Sequence, residues 1–308
     1  MIFDKIKSIK DYARYWSEVE AYITQRDYPF GDNSKEATER RKTAAQKSIW
    51  DMARIYFPDY VLSSPASFHS RWERISRITN EPILIEAFRG AGKSTFFTFL
   101  DPVHAFLFDR ARYMIISSYT QDRSAIFSGR ILAELKYNQL IKADFGELID
   151  KNVDHAAAGH FEGEVPDSRI RKTVQALSIG QNARGLVAAS RRPDYARLDD
   201  IQSRKLAQNR KNVDEIIRWI TLDLIPAMAA GYDMKIIGTA VNNRDAVTDL
   251  KRGSGTRQPV SSYRFVAISS KGKSKWPEMF PLDRLEKLKK TIGSKGILTG
   301  ISLTPIRQ

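Results

Sequence analysis

Ile83-Leu84-Ile85-Glu86-Ala87-Phe88-Arg89-Gly90-Ala91-Gly92-Lys93-Ser94-Thr95 decides the fold. An apolar, β-favouring run enters a glycine-rich turn, and the apolar helical run Phe96-Phe97-Thr98-Phe99-Leu100 follows it. Strand, turn and helix in that order form the setting in which Gly-Lys-Ser binds phosphate, because the turn's backbone N–H groups and the helix N-terminus face the anion. The amides around Gly90, Ala91 and Gly92 are expected to point at the phosphates, Lys93 to reach the β and γ oxygens, and the Ser94 hydroxyl to ligate magnesium, with Thr95 completing the set. Ala87 stands where the usual pattern opens with glycine and is small enough to keep the turn. Arg89, inside the loop, would act on the γ-phosphate of its own subunit. A chance Gly-Lys-Ser on a surface turn is the competing reading, and the flanking strand and helix weigh against it.

Outward from this segment, apolar runs alternate with helical ones, which predicts an α/β three-layer sandwich: a mostly parallel central sheet with helices on both faces, as in P-loop NTPases of the RecA-like branch. The strands read Ile83 to Glu86, Tyr113 to Ser117, Val174 to Ser178, Tyr195 to Leu198, Met234 to Ile237 and Tyr263 to Ile268. The helices between them read Lys93 to Phe108, Ser124 to Asn138 and Asn212 to Ala230, with a last one from Leu282 to Thr291. Asp150 to Ile170 has no clear period and reads as an exposed insertion. Upstream, Lys5 to Thr24 and Lys35 to Tyr56 carry helical spacing around a turn at 29–33, so residues 1–62 form a helical N-terminal layer leading into an ATPase domain at 63–308. Phe68-His69-Ser70-Arg71-Trp72 opens a short helix before the first strand.

A phosphate cradle needs a carboxylate for its metal, and the strand Tyr195-Ala196-Arg197-Leu198 ends in Asp199-Asp200, at the carboxyl end where ligands sit in open α/β sheets. Asp199 is expected to hold the magnesium shell and Asp200 to orient the attacking water. The alternative, a helix N-cap, is disfavoured by the phosphate loop upstream. Gly238-Thr239, at the end of another strand, can sense the γ-phosphate and couple hydrolysis to a moving part.

Lys and Arg outnumber Asp and Glu by 50 to 36, a formal charge of +14 that favours a polyanionic partner through counterion release, although excess lysine also serves solubility. Cysteine is absent, which excludes disulfides, Cys metal sites and Cys nucleophiles. No run approaches the roughly 20 apolar residues of a membrane span, and Met1-Ile2-Phe3-Asp4-Lys5 meets charge too early for a signal peptide. A cytoplasmic protein without a membrane partner is expected.

The ordered series resembles the large subunit of tailed-phage terminases, the ATP-driven motors that package DNA into procapsids. Ala87 to Ser94 is similar to that family's deviant Walker A, which carries an arginine and often lacks the first glycine. Tyr113 to Asp122 resembles its strand and Thr-Gln-Asp turn. Ala183-Arg184-Gly185, Arg192-Pro193-Asp194 and Leu198-Asp199-Asp200 resemble its Arg-Gly, Arg-Pro-Asp and Walker B series. Gly238-Thr239 resembles the coupling motif, and Lys275-Trp276-Pro277-Glu278 the Trp-Pro-Glu that closes the ATPase domain. The chain departs from the family at Asp200, where a glutamate is usual, and at Asn242-Asn243, where a histidine often follows the Gly-Thr.

The resemblance implies an ATPase using ATP and Mg²⁺, a homo-oligomeric ring, double-stranded DNA gripped by its backbone, and a procapsid portal and small terminase subunit as partners. It also implies that Arg184 serves the γ-phosphate of a neighbouring subunit, and that Phe68 lies near the adenine, although a packed hydrophobic lid is the simpler reading of Phe68 and Trp72. An RNase H-type nuclease usually follows this domain. Here the sequence reaches Gln308 soon after Trp276, and Asp283 and Glu286 read as a solvated face, so no nuclease activity is expected of this chain. Trp16, Trp50 and Trp219 read as core, and His155 and His160 lack metal-ligand spacing. Lys271-Gly272-Lys273-Ser274-Lys275 and Arg40-Arg41-Lys42 are candidate contacts to DNA phosphates, with a solvated face as the alternative. The rival functions are another DNA-dependent P-loop ATPase, such as a helicase domain, and a nucleotide-binding assembly subunit without turnover.

Overall fold

Successive residues of a strand face opposite sides of its sheet, so a sheet buried on both faces needs apolar residues at every position. The computed structural model, which describes residues 2–28, 32–253, 258–287 and 290, shows this arrangement. In β1 (Pro82–Ala87), Ile83, Ile85 and Ala87 join one core and Leu84 the other. In β2 (Tyr113–Ser118), Met114 and Ile116 face the first core, and Tyr113 and Ile115 the second. β3 (His160–Val165), β4 (Ile170–Ser178), β5 (Tyr195–Asp199), β6 (Asp233–Gly238) and β7 (Ser261–Phe265) complete a seven-stranded sheet of order β3-β4-β2-β5-β6-β1-β7. All neighbours are parallel except β3 and β4. The acidic strand β5 and β1, which leads into the glycine-rich loop, both flank β6, which brings their carboxyl ends to one edge of the sheet.

One core is covered by α1 (Ile9–Thr24), α2 (Lys35–Lys47), α3 (Ile49–Tyr56), α4 (Ser67–Ser76), α5 (Asp101–Leu107), α6 (Gln121–Tyr137) and α7 (Gln139–Phe145). The other is covered by α8 (Arg210–Arg218), α9 (Ile225–Ala227) and α10 (Ala246–Arg252). The N-terminal helices share the first core and are tied to it by buried ion pairs. Arg26 meets Glu134 of α6 at 2.7 Å, and Arg41 meets Asp144 of α7 at 2.5 Å, with Tyr56 Oη donating to the same carboxylate at 2.6 Å. Arg41 is therefore committed to the interior and does not serve as a DNA contact, and its neighbour Lys42 pairs with Asp167 at 2.9 Å.

Three features differ from the sequence expectation. The segment read as an exposed insertion holds strand β3, paired antiparallel with β4 and burying Phe161 and Val165. Gly163 lies on that same apolar side, where a Cβ would stand 2.5 Å from the Leu148 carbonyl oxygen, so the close pass of a neighbouring chain removes the apolar residue that would have marked the strand. Both long helices contain a π-helical stretch, at Ser94–Leu100 before α5 and at Trp219–Leu224 before α9. Each stretch precedes a proline, Pro102 or Pro226, which lacks an N–H and crowds the preceding turn; the wider i to i−5 bonds, from Asp101 to Phe96 and from Ile225 to Ile220, absorb that conflict. Residues 282–287 are helical, and the expected continuation to Thr291 reaches outside the described residues, as does the turn at 29–31.

Beneath the sheet, Arg197 of β5 is fully buried between Asp101 (2.5 Å) and Asp233 (2.8 Å) and lies 3.7 Å from the Tyr195 ring centroid. Arg110 adds a bond to Asp101 at 2.9 Å, and Lys235 pairs with Asp233. Against the pull of burial, Arg197 and Arg110 hold the Asp101 carboxyl well below its ordinary range. Among the described residues, no helix is long and apolar enough to cross a membrane.

Candidate phosphate-binding cleft

β1 delivers the chain to Ala87, whose carbonyl accepts a hydrogen bond from Thr239 Oγ1 at 3.2 Å. Beyond it Gly90 and Gly92 take φ of +83° and +85°, conformations open to glycine at little cost. A Cβ at Gly90 would also stand 2.8 Å from Phe280 Cζ. His69 of α4 fixes the loop from behind. The Ala66 N–H donates to its Nδ1 at 2.8 Å, which leaves Nε2–H to donate to the Ala91 carbonyl at 3.1 Å. Burial holds the His69 pKa down at about 4, so the ring is neutral.

Across the cleft, Asp199 ends β5 fully buried. Its Oδ2 accepts from Thr98 Oγ1 at 2.8 Å, and its Oδ1 has no partner. Burial, reinforced by Asp200, pushes its pKa up to about 6 against the pull of Ser94, Thr98 and Lys93. Burial likewise lowers the Lys93 ammonium, opposed by the two aspartates. A buried carboxylate oxygen without a partner, beside a serine hydroxyl, suits a hard cation with oxygen ligands. Among the described residues no cluster of three or more His, Cys, Asp or Glu is arranged to hold a metal ion.

The cleft, about 490 Å³, is lined by Arg89, Gly90, Gly92, Lys93, Ser94 and Thr95 from the loop, by Asp200, Gln202 and Arg204 beyond β5, and by Gly238 and Thr239 beyond β6. Tyr119 and Arg123 close it from the β2–α6 turn. Ala87 and Ala91 are buried and contribute backbone, and Asp199 lies beneath the floor. Asp200 adopts φ of +50°, a strained value outside glycine, and its carboxylate meets Arg123 at 2.7 Å. Arg123 and Phe280 escape sequence reading: one looks like a surface cation in the first turn of a helix, the other like an ordinary apolar residue after Trp276.

Two expected residues lie elsewhere. Phe68 is not in the cleft lining but packs among Trp72, Phe88, Phe265 and Trp276, against the glycine-rich loop. Arg184 is exposed, paired with Asp223 at 2.8 Å, in a separate surface cavity of about 250 Å³ beside Val187 and Leu222. Asp194 of the Arg-Pro-Asp segment sits at the opposite end of the sheet, accepting from the backbone N–H groups of Arg112 and Tyr113. It orders strand starts and takes no part in the cleft.

No protein-family model matches the chain, and no curated protein matches it. Solved structures do. The large terminase ATPase domain of Thermus phage P74-26 superposes with a TM-score of 0.52 at 15% identity, over 81% of this chain and 97% of that one. The fold is that of a phage large-terminase ATPase domain. A point variant of the same Thermus phage domain gives 0.51 at 13% identity, over 81% and 98%. The Phi-28 gp11 DNA packaging motor, at 0.36 and 14% identity over 77% of this chain and 69% of that one, is too distant to add weight. Within the terminase ATPase fold, Trp276 and Phe280 have a structural task. Trp276 Nε1 donates to the Ser64 carbonyl at 3.0 Å, and its ring meets Phe68, His69 and Phe280, so the segment after β7 packs onto the phosphate loop.

Proposed function

We propose that the chain is the ATP-hydrolysing part of a viral DNA-packaging motor, a large-terminase ATPase domain that drives double-stranded DNA into a procapsid. The observation that carries this reading is the convergence of Lys93, Ser94, Asp200 and Thr239 from three strand ends on one cleft, above the unpartnered Asp199 oxygen, in this fold.

In this reading the loop amides and Lys93 hold the β and γ phosphates, and Ser94 and Asp199 would hold Mg²⁺, which would supply charge neutralisation at the phosphates. Asp200 orients the water whose oxygen bonds to the γ-phosphorus as the bond to the bridging oxygen of ADP breaks, the water's proton ending on the released phosphate. Asp200 is one methylene shorter than glutamate. Its left-handed backbone and the bond from Arg123 set where that short carboxylate lies. Arg89 supports the developing charge in cis. Arg184, whose position outside its own cleft suits service to another, supports it in a neighbouring subunit of a ring. Thr239, bonded to the Ala87 carbonyl, relays the state of the loop to β6. Phosphate contacts to DNA come from exposed cations such as those of Lys271 to Lys275, and the portal and a small terminase subunit complete the machine.

Lys93→Ala, assayed for phosphate release with DNA and packaging partners present, is expected to lose nearly all turnover; undiminished release would refute the assignment. Unwinding of a tailed duplex would instead mark a helicase, and binding of ATP without steady-state hydrolysis an assembly subunit.

A further inference from the structure

Gln202 lies two residues beyond Asp200, lines the cleft, and is 9% exposed. Its Oε1 accepts from the Ala246 N–H at 2.8 Å. A backbone N–H can only donate, so this bond fixes which end of the amide is oxygen. Nε2 is thereby turned away from Ala246, and it is buried with no hydrogen-bond partner. An unmatched buried donor is costly; besides Arg123 Nε, whose guanidinium already pairs with Asp200, the cleft region holds an unmatched acceptor as well as this donor, Asp199 Oδ1, which is suited to a cation. The two are opposite in kind: one accepts and one donates. A metal-bound phosphate answers both, since it brings a cation to the carboxylate and an anionic oxygen to the amide.

We propose that Gln202 Nε2 donates to a terminal phosphate oxygen of the bound nucleoside triphosphate, so that Gln202 separates triphosphate from diphosphate. This rests on the reading of the cleft as a nucleotide site. In that reading Asp200 faces the terminal phosphate, and Gln202 follows it by two residues in the lining of the same cleft. The same side chain reaches a mobile-part candidate. Ala246 opens α10, whose N-cap Asp245 accepts from Thr248 N in the first turn of the helix and from Asn242 N in the loop that leaves β6. α10 in turn carries Lys251, paired with Glu86 at the end of β1 at 3.2 Å, and Asp249, paired with Arg210 of α8. A phosphate that draws on Nε2 while Oε1 keeps Ala246 therefore couples the γ position to the outer helices α10 and α8.

Gln202→Glu removes the donor while keeping an oxygen for the Ala246 N–H, but adds a negative charge, and Gln202→Ala removes the donor without adding charge. Equilibrium titration of the full chain with Mg²⁺ and either ATPγS or ADP is expected to show at least about tenfold weaker ATPγS binding, from loss of a charge-assisted bond, with ADP affinity within about twofold of wild type. Gln202→Ala should show the same selective loss together with a lower melting temperature, because it also releases Ala246. Equal losses for the two nucleotides, or none for either, would overturn the assignment of Gln202. Lys93→Ala, which should weaken both nucleotides, separates the two levels. If wild type binds neither nucleotide the cleft reading itself fails, whereas normal wild-type binding without selectivity in Gln202→Glu removes Gln202 alone.

Discussion

Replacing Gly90 by alanine tests two constraints that act at one atom. The new Cβ would stand 2.8 Å from Phe280 Cζ, and the backbone at φ +83° strains any L side chain. Unfolding in urea should show a loss of about 1–3 kcal/mol. In a Phe280→Ala background the steric share should vanish and about 1 kcal/mol should remain from the backbone alone. Full additivity of the two substitutions would mean that Phe280 does not press on the loop. Arg123→Ala asks a different question. Its pair with Asp200 is half exposed, so stability should change by well under about 1 kcal/mol. Turnover should nevertheless fall by about tenfold or more if the guanidinium supports charge at the phosphate. A rise in turnover would show instead that Arg123 restrains Asp200.

Among the elements, the buried cluster around Arg197 has the clearest energetic consequence. Asp101 opens α5 and neutralises Arg197 and Arg110 where water is excluded. Asp101→Ala leaves both guanidiniums short of a partner and should cost about 3–5 kcal/mol in urea unfolding, far more than loss of the exposed Arg54–Asp51 pair. A cost below 1 kcal/mol would show that water enters the cluster. Arg197 sits inside a strand that was legible in the sequence all the same, because its neighbours Tyr195, Ala196 and Leu198 keep the run apolar. The central strands were legible for that reason, and the cleft residues at their carboxyl ends came with them. β3 was not, since it lies at the sheet edge with Gly163 on its buried side. The π-helical stretches were not, since a proline in a helical pattern announces a conflict without saying how the chain resolves it. Arg123 and Phe280 were hidden for a third reason: one reaches the cleft and the other the glycine-rich loop through packing between elements distant in sequence.

At the scale of the whole molecule, two neutral histidines join layers that the sequence lists far apart. His69 of α4 accepts from Ala66 N and donates to Ala91 in the phosphate loop, while His104 of α5 accepts from Arg110 and leaves its other nitrogen to donate to the Gln46 carbonyl of α2 at 3.2 Å. Burial holds the first at about 4 and, with Arg110 adding to it, the second at about 3, both below the ordinary 6.5. Groups depressed in this way bind protons in the unfolded chain first, so their stabilising share is complete above pH 6.5 and is lost as pH falls toward 4. At pH 5 the loss is about 2 kcal/mol for each. Geometry points the same way, for a proton on His69 Nδ1 would face the Ala66 N–H, and one on His104 Nδ1 would face Arg110. Asp199 opposes them: with its pKa raised to about 6 it takes up a proton in the folded state over the same range and returns about 1 kcal/mol at pH 5. Urea unfolding at pH 7.5 and pH 5 should therefore differ by about 3 kcal/mol in wild type, and by about 2 kcal/mol less in His104→Gln. The paired carboxylates cannot produce this loss, because Asp101, held below its ordinary 3.8, becomes protonated only at lower pH. Equal stability at the two pH values would mean that neither ring is held neutral by its surroundings.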